Sequence, residues 1–381
     1  MFGPEDHALR NKVLEFARAL SAESDEKARD GFDRVGWKRL AEFGVHGWIA
    51  PVEYGGAGLD PLSAILAFEA LGQGCTDNGL VFAVNNHVWA CMVYLMEHGT
   101  PAQKGRWLPG LVDGSLIGAH ALTEAEAGSD MLSITTSARR DGDDWVIDGA
   151  KCFISNGPCA DLFIVFARTG STAGGQSALS AFVVPSTTPG LRVVRRIEKA
   201  GLEGCLMGEL SFQECRVPAD ALLGAEGAGY QIFTATMDWE RGFMCASQVG
   251  VLARLLEGSV ARSAARRQFG RPIGHHQAVS HRIADMGVRL ELARLLLYKV
   301  GELKREGRLA MLESSMLKLF VSESLVQSAL DTAQLHGALG YTKDLGIEHE
   351  VRDAFGTTVY GGTSEIQRDI IARLLGVPGR P

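Results

Sequence analysis

The chain has 381 residues, 46% of them hydrophobic and 22% charged, the balance of a soluble globular protein with room for two or three domains. A formal net charge of −7 with no strong basic run argues against nucleic acid or an anionic membrane as the main partner. Seven cysteines at irregular positions form neither a secreted disulfide framework nor paired metal-binding spacing, and the charged start MFGPEDHALRNKV has no signal-peptide core, so a cytoplasmic protein with reduced thiols and no membrane span is expected.

Helical periodicity runs from residue 5 to about 117, interrupted by loops such as PVEYGGAG at 51–58, and predicts an N-terminal α-helical domain over 1–117. Within it Trp89, Met92 and Tyr94 could shape a pocket floor, but they fall at helical spacing and read as core. The pattern then changes. WVIDG at 145–149 follows an Asp-Gly turn, and LFIVFAR at 162–168, SAFVVP at 180–185, LRVVRRI at 191–197 and ELSFQECRVP at 209–218 are short β-type runs, which makes 118–225 a middle β domain. Long helical segments return at roughly 227–268, 278–306 and 309–337, broken by Gly270 with Pro272 and by Gly307, so 226–381 reads as an antiparallel helical bundle. The last helix opens at VYGGTSEIQR, 359–368. Ser364 with Gln367 forms a capping-box pattern, and the apolar face Ile366, Ile370, Ile371, Leu374 runs on until Gly376 and Pro378. Capping alone does not require two glycines.

Four further segments carry groups suited to a ligand, and each has an ordinary alternative. LTEAEAGSD at 122–130 offers Thr123, Gly128 and Ser129 to a polar ring edge or a phosphate, or is a plain polar turn. KCFISNG at 151–157 places Phe153 and Ser155 on one side of a strand at period two, or is a hairpin edge. RRQFGRPI at 266–273 suits a diphosphate or is a solvated helix end. QLHGALGY at 334–341 is a small-residue helix end whose simplest use is close packing.

Together, in this order and spacing, these segments and VYGGTSEIQR resemble the acyl-CoA dehydrogenase family over essentially the whole chain. The resemblance implies a mainly α fold with a central β domain: N-terminal helices, a β-barrel-like middle domain and a C-terminal four-helix bundle, assembled as a homotetramer. It implies FAD as cofactor, with Leu122, Thr123 and Ser155 at the flavin ring, Phe153 beside it, and Gly128 and Ser129 at the pyrophosphate. Arg266, Phe269, Gln277 and Gln334 would reach the FAD of a neighbouring subunit, and Thr363 and Glu365 would lie near the adenosine half.

The family's chemistry removes the proton α to a thioester carbonyl while the β carbon gives hydride to the flavin, so a buried carboxylate must face the substrate. In many relatives that carboxylate is the glutamate of Tyr-Glu-Gly-Thr, which aligns with Gly361; glycine cannot act as a base, although its N–H can still donate to the carbonyl. In other branches the base comes from the first bundle helix, just before an arginine, and Glu240-Arg241 in MDWERG fits that position. Glu240 is therefore the expected base; the alternative is that it only pairs with an arginine. Asp238, Glu365 and Glu124 are weaker candidates, the last with structural work in the flavin loop. The substrate is an acyl thioester on coenzyme A or on an acyl-carrier protein, and the family often passes its electrons to an electron-transfer flavoprotein. An oxygen-using oxidase or monooxygenase on the same fold, or a flavoprotein that has lost its base, are the competing functions.

Overall fold

The computed structural model describes residues 2–22, 31–170 and 178–378. Its N-terminal third is helical: α1 (Pro4–Ala22), α2 (Arg34–Glu42), α3 (Pro61–Gly74), α4 (Asn78–His87), α5 (Val93–His98) and α6 (Pro101–Val112). Local chemistry sets these starts. The Asp33 side chain caps α2, Asp60 caps α3 ahead of Pro61, and Thr100 caps α6 in a reciprocal box with Gln103. Between α4 and α5 the helix widens into a π-turn at Val88–Met92. The resulting helix, Asn78–His98, is apolar and long enough by composition to cross a bilayer, but 89% of its most apolar window is buried inside the fold.

One eight-stranded sheet follows: β1 (Gly118–Ala121), β2 (Ser137–Asp141), β3 (Asp144–Ser155), β4 (Leu162–Arg168), β5 (Leu179–Pro185), β6 (Leu191–Arg196), β7 (Met207–Val217) and β8 (Leu222–Leu223). The strand order is β6-β7-β3-β2-β4-β5-β8, and β1 lies parallel to β4. WVIDG and KCFIS prove to be one long strand, β3, which slips register against β7 between Ile147 and Gly149 and again between Lys151 and Ile154. Phe153 sits inside the second slip with φ of 59°, so the period-two alternation expected for Phe153 and Ser155 breaks there.

The C-terminal region holds α7 (Gly229–Ala265), a two-strand ribbon β9 (Arg267–Gln268) and β10 (Arg271–Pro272), α8 (Gln277–Arg305), α9 (Met311–His336), α10 (Ala338–Tyr341), α11 (Ile347–Gly356) and α12 (Ser364–Leu374). Helix α7 packs on α9, α8 and α3 at once. Its crossing with α3 is in backbone contact: a Cβ on Gly72 would strike the Ser247 carbonyl, and one on Gly250 the Glu69 carbonyl. Phe68, Trp89, Tyr94 and Phe243 are fully buried in the core that this crossing closes. Each such side chain contributes about 1.5–3 kcal/mol relative to exposure. Helix α7 is thereby held fixed beneath the N-terminal helices, with Glu240 on it.

Candidate active site

Glu240 is only 8% exposed. Its Oε1 lies 3.9 Å from the point where a Cβ on Gly361 would sit, and among the described residues no other atom outside the adjoining residues comes within 4 Å of that point. Its Oε2 is buried and has no hydrogen-bond partner. Burial lifts the Glu240 pKa to about 7, against the pull of neighbouring Arg241. A carboxylate poised near neutrality, with one oxygen unspent, is the form expected of a general base. Among the described residues no basic nitrogen lies within ion-pair distance of it, as the purely structural alternative would require.

The glycine loop is held from behind. Gly361 and Gly362 take φ of 65° and 91°, left-handed values that favour glycine. The Gly361 carbonyl accepts from Arg241 Nε (3.1 Å) and Gln367 Nε2 (3.0 Å), and the Gly362 carbonyl from Gln367 Nε2 (3.0 Å) and Lys318 Nζ (2.7 Å). A trans peptide points its N–H opposite to its C=O, so these tethers face the Gly362 and Thr363 N–H groups away from the three side chains. Among the described residues the N–H groups of Gly361, Gly362 and Thr363 donate to no backbone carbonyl, whereas those of Tyr360 and Ser364 bond to Gly356 and Thr358 at 3.2 and 3.1 Å. The Lys318 ammonium is buried, and that burial brings its pKa down to about 8.

The capping box expected of Ser364 and Gln367 does not form. Thr363 is the cap, its hydroxyl accepting from Ile366 N at 3.3 Å. The two left-handed glycines deliver the chain extended at Thr363, so Ser364 is already helical, and the Gln367 amide is spent on the glycine carbonyls. Asp238 accepts from Ala310 N at 3.0 Å at the start of α9 and faces Lys304 at 3.8 Å, which occupies it structurally. Glu365 is exposed on α12.

A column of rings packs against the face of α7 that carries Glu240. Tyr94 stacks on His120 of β1 (5.2 Å between centroids), and His120 on Phe233 of α7 (6.1 Å). Trp89 lies parallel to Trp239 at 6.4 Å and packs on Phe243 at 4.9 Å. Tyr94 Oη and His120 Nε2 are buried without a hydrogen-bond partner. Burial raises the Tyr94 phenol well above its usual pKa, with Glu240 adding to the effect, and drops His120 to about 3, so both are neutral.

On the sheet side, Cys152 N donates to the Thr123 carbonyl at 2.9 Å, which sets Leu122 and Thr123 beside the end of β3 with Phe153 and Ser155. Thr123 and Ser155 are half-buried and Phe153 is 53% exposed, so this end of β3 carries two hydroxyls and an uncovered aromatic residue. That donor set fits the edge of a flavin ring. Beneath it the Glu124 carboxylate accepts from Lys151 Nζ (2.8 Å), Thr136 N (2.9 Å) and both Thr135 N (2.7 Å) and its hydroxyl (2.8 Å). Burial opposes ionisation of Glu124, but Lys151 and these hydrogen bonds outweigh it and hold the pKa at about 2. Gly128 and Ser129 lie exposed in the turn beyond, with open space around Gly128.

Arg266, Phe269 (93% exposed), Gln277 and Gln334 are all exposed at the far end of the bundle. Gln334 follows Lys318 on α9 by 334 − 318 = 16 residues, about 24 Å of helix. The fold thus brings Glu240 to Gly361 and Thr123 to β3, and keeps these four away from their own chain's Glu240. The sequence reading took Tyr94 as core and Gln367 as a capping partner, and it passed over His120 and Lys318. The available signal was a phenol and a lysine within otherwise apolar helical stretches, each needing a partner.

Three family models cover the chain: the acyl-CoA dehydrogenase N-terminal domain over 3–115, the middle domain over 119–215 and the C-terminal domain over 227–376. The chain belongs to the acyl-CoA dehydrogenase family. It is an FAD-dependent oxidoreductase of the kind that introduces an α,β double bond into an acyl thioester. An L-prolyl-[peptidyl-carrier protein] dehydrogenase of Pseudomonas fluorescens is 42% identical over 94% of this chain and 94% of its own length. Among solved structures, the prolyl acyl carrier protein oxidase AnaB superposes with a TM-score of 0.96 at 43% identity, covering 99% of this chain and 100% of its own. PigA with FAD and proline superposes with a TM-score of 0.96 at 36% identity, covering 100% of this chain and 99% of its own.

Proposed function

We propose that the chain oxidises an acyl thioester presented on a carrier-protein arm, with an aminoacyl group such as prolyl as the acyl part and Glu240 as the α-proton base. The observation that carries the assignment of the base is the buried Glu240 carboxylate, unspent at Oε2 and 3.9 Å from the side-chain position that Gly361 leaves empty. Similarity to the prolyl-carrier-protein dehydrogenase supports the carrier arm.

In this reading Glu240 takes the α-proton, and the Gly361 N–H, which has no backbone acceptor among the described residues, donates to the thioester carbonyl as negative charge develops there. When bound, FAD would supply the two-electron acceptor that the oxidation needs. Leu122, Thr123, Phe153 and Ser155 hold the ring edge, Gly128 and Ser129 the pyrophosphate, and Thr363 and Glu365 stand at the adenosine end, at the N-terminus of α12. Arg266, Phe269, Gln277 and Gln334 serve the cofactor of a second subunit. An exposed apolar stripe on α8, Val288, Leu292 and Leu295, supports assembly into a homotetramer. The enzyme works in the cytoplasm and passes its electrons to an electron-transfer flavoprotein.

The test is anaerobic mixing of the FAD-loaded protein with matched coenzyme A and carrier-protein thioesters. The flavin band should bleach fastest with prolyl on the carrier protein; a flavin that stays oxidised with every thioester would sink the proposal. AnaB, 43% identical, is described as an oxidase, which favours a second reading in which oxygen re-oxidises the flavin directly. Hydrogen peroxide formed in step with product would select it.

A further inference from the structure

Proton abstraction requires one carboxylate, yet among the described residues Tyr94 Oη and His120 Nε2 are also closed off from water without partners. Both belong to the ring column that rests on Phe233. Phe233 precedes Glu240 by seven residues, two turns of α7, so the column runs along the helical face that carries the base. Phe166 packs edge-on to both Tyr94 (5.8 Å) and His120 (5.2 Å).

Buried polar groups in native folds find partners, and leaving one unmade costs about 1–3 kcal/mol. This helix satisfies such groups where it can. Trp89 Nε1, one turn earlier, donates to Asn85 Oδ1 at 3.0 Å, and Asn85 in turn donates to Val81 O at 2.8 Å. Tyr94 does not follow suit. An alkyl acyl chain would leave both groups unpaired, whereas an acyl chain with a nitrogen on its α carbon has an N–H to offer. Phenol and neutral imidazole each donate or accept, so they match an amine in either protonation state.

We infer that Tyr94 and His120 are specificity-determining residues that hydrogen-bond the α-nitrogen of an aminoacyl thioester and so select it over a carbon isostere. The inference rests on the reaction proposed at Glu240. A site built to hydrogen-bond a substrate N–H rejects the analogue lacking it far more strongly than an apolar pocket discriminates by size.

The experiment compares FAD-loaded wild type and Tyr94→Phe on prolyl and cyclopentanecarbonyl thioesters of the same carrier protein. The ratio of kcat/KM values, prolyl over cyclopentanecarbonyl, should fall by about tenfold or more in the variant, the size of one lost hydrogen bond to a buried group. An unchanged ratio overturns the inference. So does an equal loss on both substrates with a shifted pH profile, because Tyr94 would then act by positioning Glu240. Binding of free L-proline and of cyclopentanecarboxylate to the resting holoenzyme, read as perturbation of the flavin spectrum, separates this inference from the proposed reaction. If wild type turns over neither thioester but binds proline selectively, and Tyr94→Phe loses that selectivity, the reaction is misassigned and the recognition stands. If the two acids bind alike in wild type, the recognition fails whatever the turnover.

Discussion

At the scale of single residues, the pKa of about 7 at Glu240 makes a signed prediction. The base is the ionised form, so kcat/KM should rise as pH climbs through about 7 and level off above it. Arg241 pulls the Glu240 pKa down, so Arg241→Gln should move that rising limb to higher pH; a limb that stays in place would show that Arg241 acts only through the Gly361 carbonyl. Lys318 is different in kind. Its buried ammonium meets a neutral carbonyl and, among the described residues, no carboxylate within ion-pair distance, a costly arrangement that its 2.7 Å bond to Gly362 offsets only in part. The loop geometry, rather than stability, accounts for it.

At the scale of the element, the turn Tyr360–Thr363 is a left-handed pair pinned by α7, α9 and its own helix. Gly361→Ala should lower stability by about 1–2 kcal/mol, the strain of a left-handed non-glycine residue, and thermal unfolding would show it. Gly362→Ala should cost more, because its Cβ would lie 2.8 Å from Gln367 Nε2, and equal losses for the two variants would contradict this account of the clamp. Glu240→Gln combined with Gly361→Glu should recover part of the turnover that Glu240→Gln alone loses, since the two carboxylate positions converge; no recovery in a folded, flavin-loaded double variant would mean that they face different atoms. The long helices α7, α8 and α9 and strands β4 to β7 were legible in the sequence because periodicity is a local property. The joining of WVIDG to KCFIS was not, since the slips that keep β3 whole depend on its partner β7. Strand β1 was missed because GAHA has no alternation and is defined by parallel pairing with β4, 44 residues away. The approach of Glu240 to Gly361 was reached only through a departure from a known motif. The clamp was invisible because Arg241 and Gly361 are 120 residues apart in the chain.

At the scale of the whole molecule, histidines tie the domains together and set the acid limit. His87, at the end of α4, accepts from Gly118 N on β1 at its Nδ1 (2.9 Å), which leaves Nε2 to donate to Leu111 O (2.9 Å). Protonation would place a hydrogen on Nδ1 against that N–H. Burial depresses the His87 pKa from 6.5 to about 4, and burial, with His87 adding to it, also holds His46 well below its usual range. The stability this contributes is complete above about pH 6.5 and lost as pH falls toward about 4. The unfolding temperature should decline across that window and decline less in His87→Gln; a flat profile in the wild type would contradict the assignment. Assembly is testable at the same scale. Light scattering should give a multiple of the 40.9 kDa chain mass, and Leu292→Glu, on the exposed stripe of α8, should reduce both that mass and the bound flavin. The central claim, that the base has moved from position 361 to Glu240, is tested most directly by anaerobic flavin reduction in assembled, FAD-loaded Glu240→Gln mixed with the thioester that bleaches the wild type. The account predicts full flavin content and reduction slowed by about 100-fold or more. Reduction at a rate near that of the wild type would show that Glu240 is not the base.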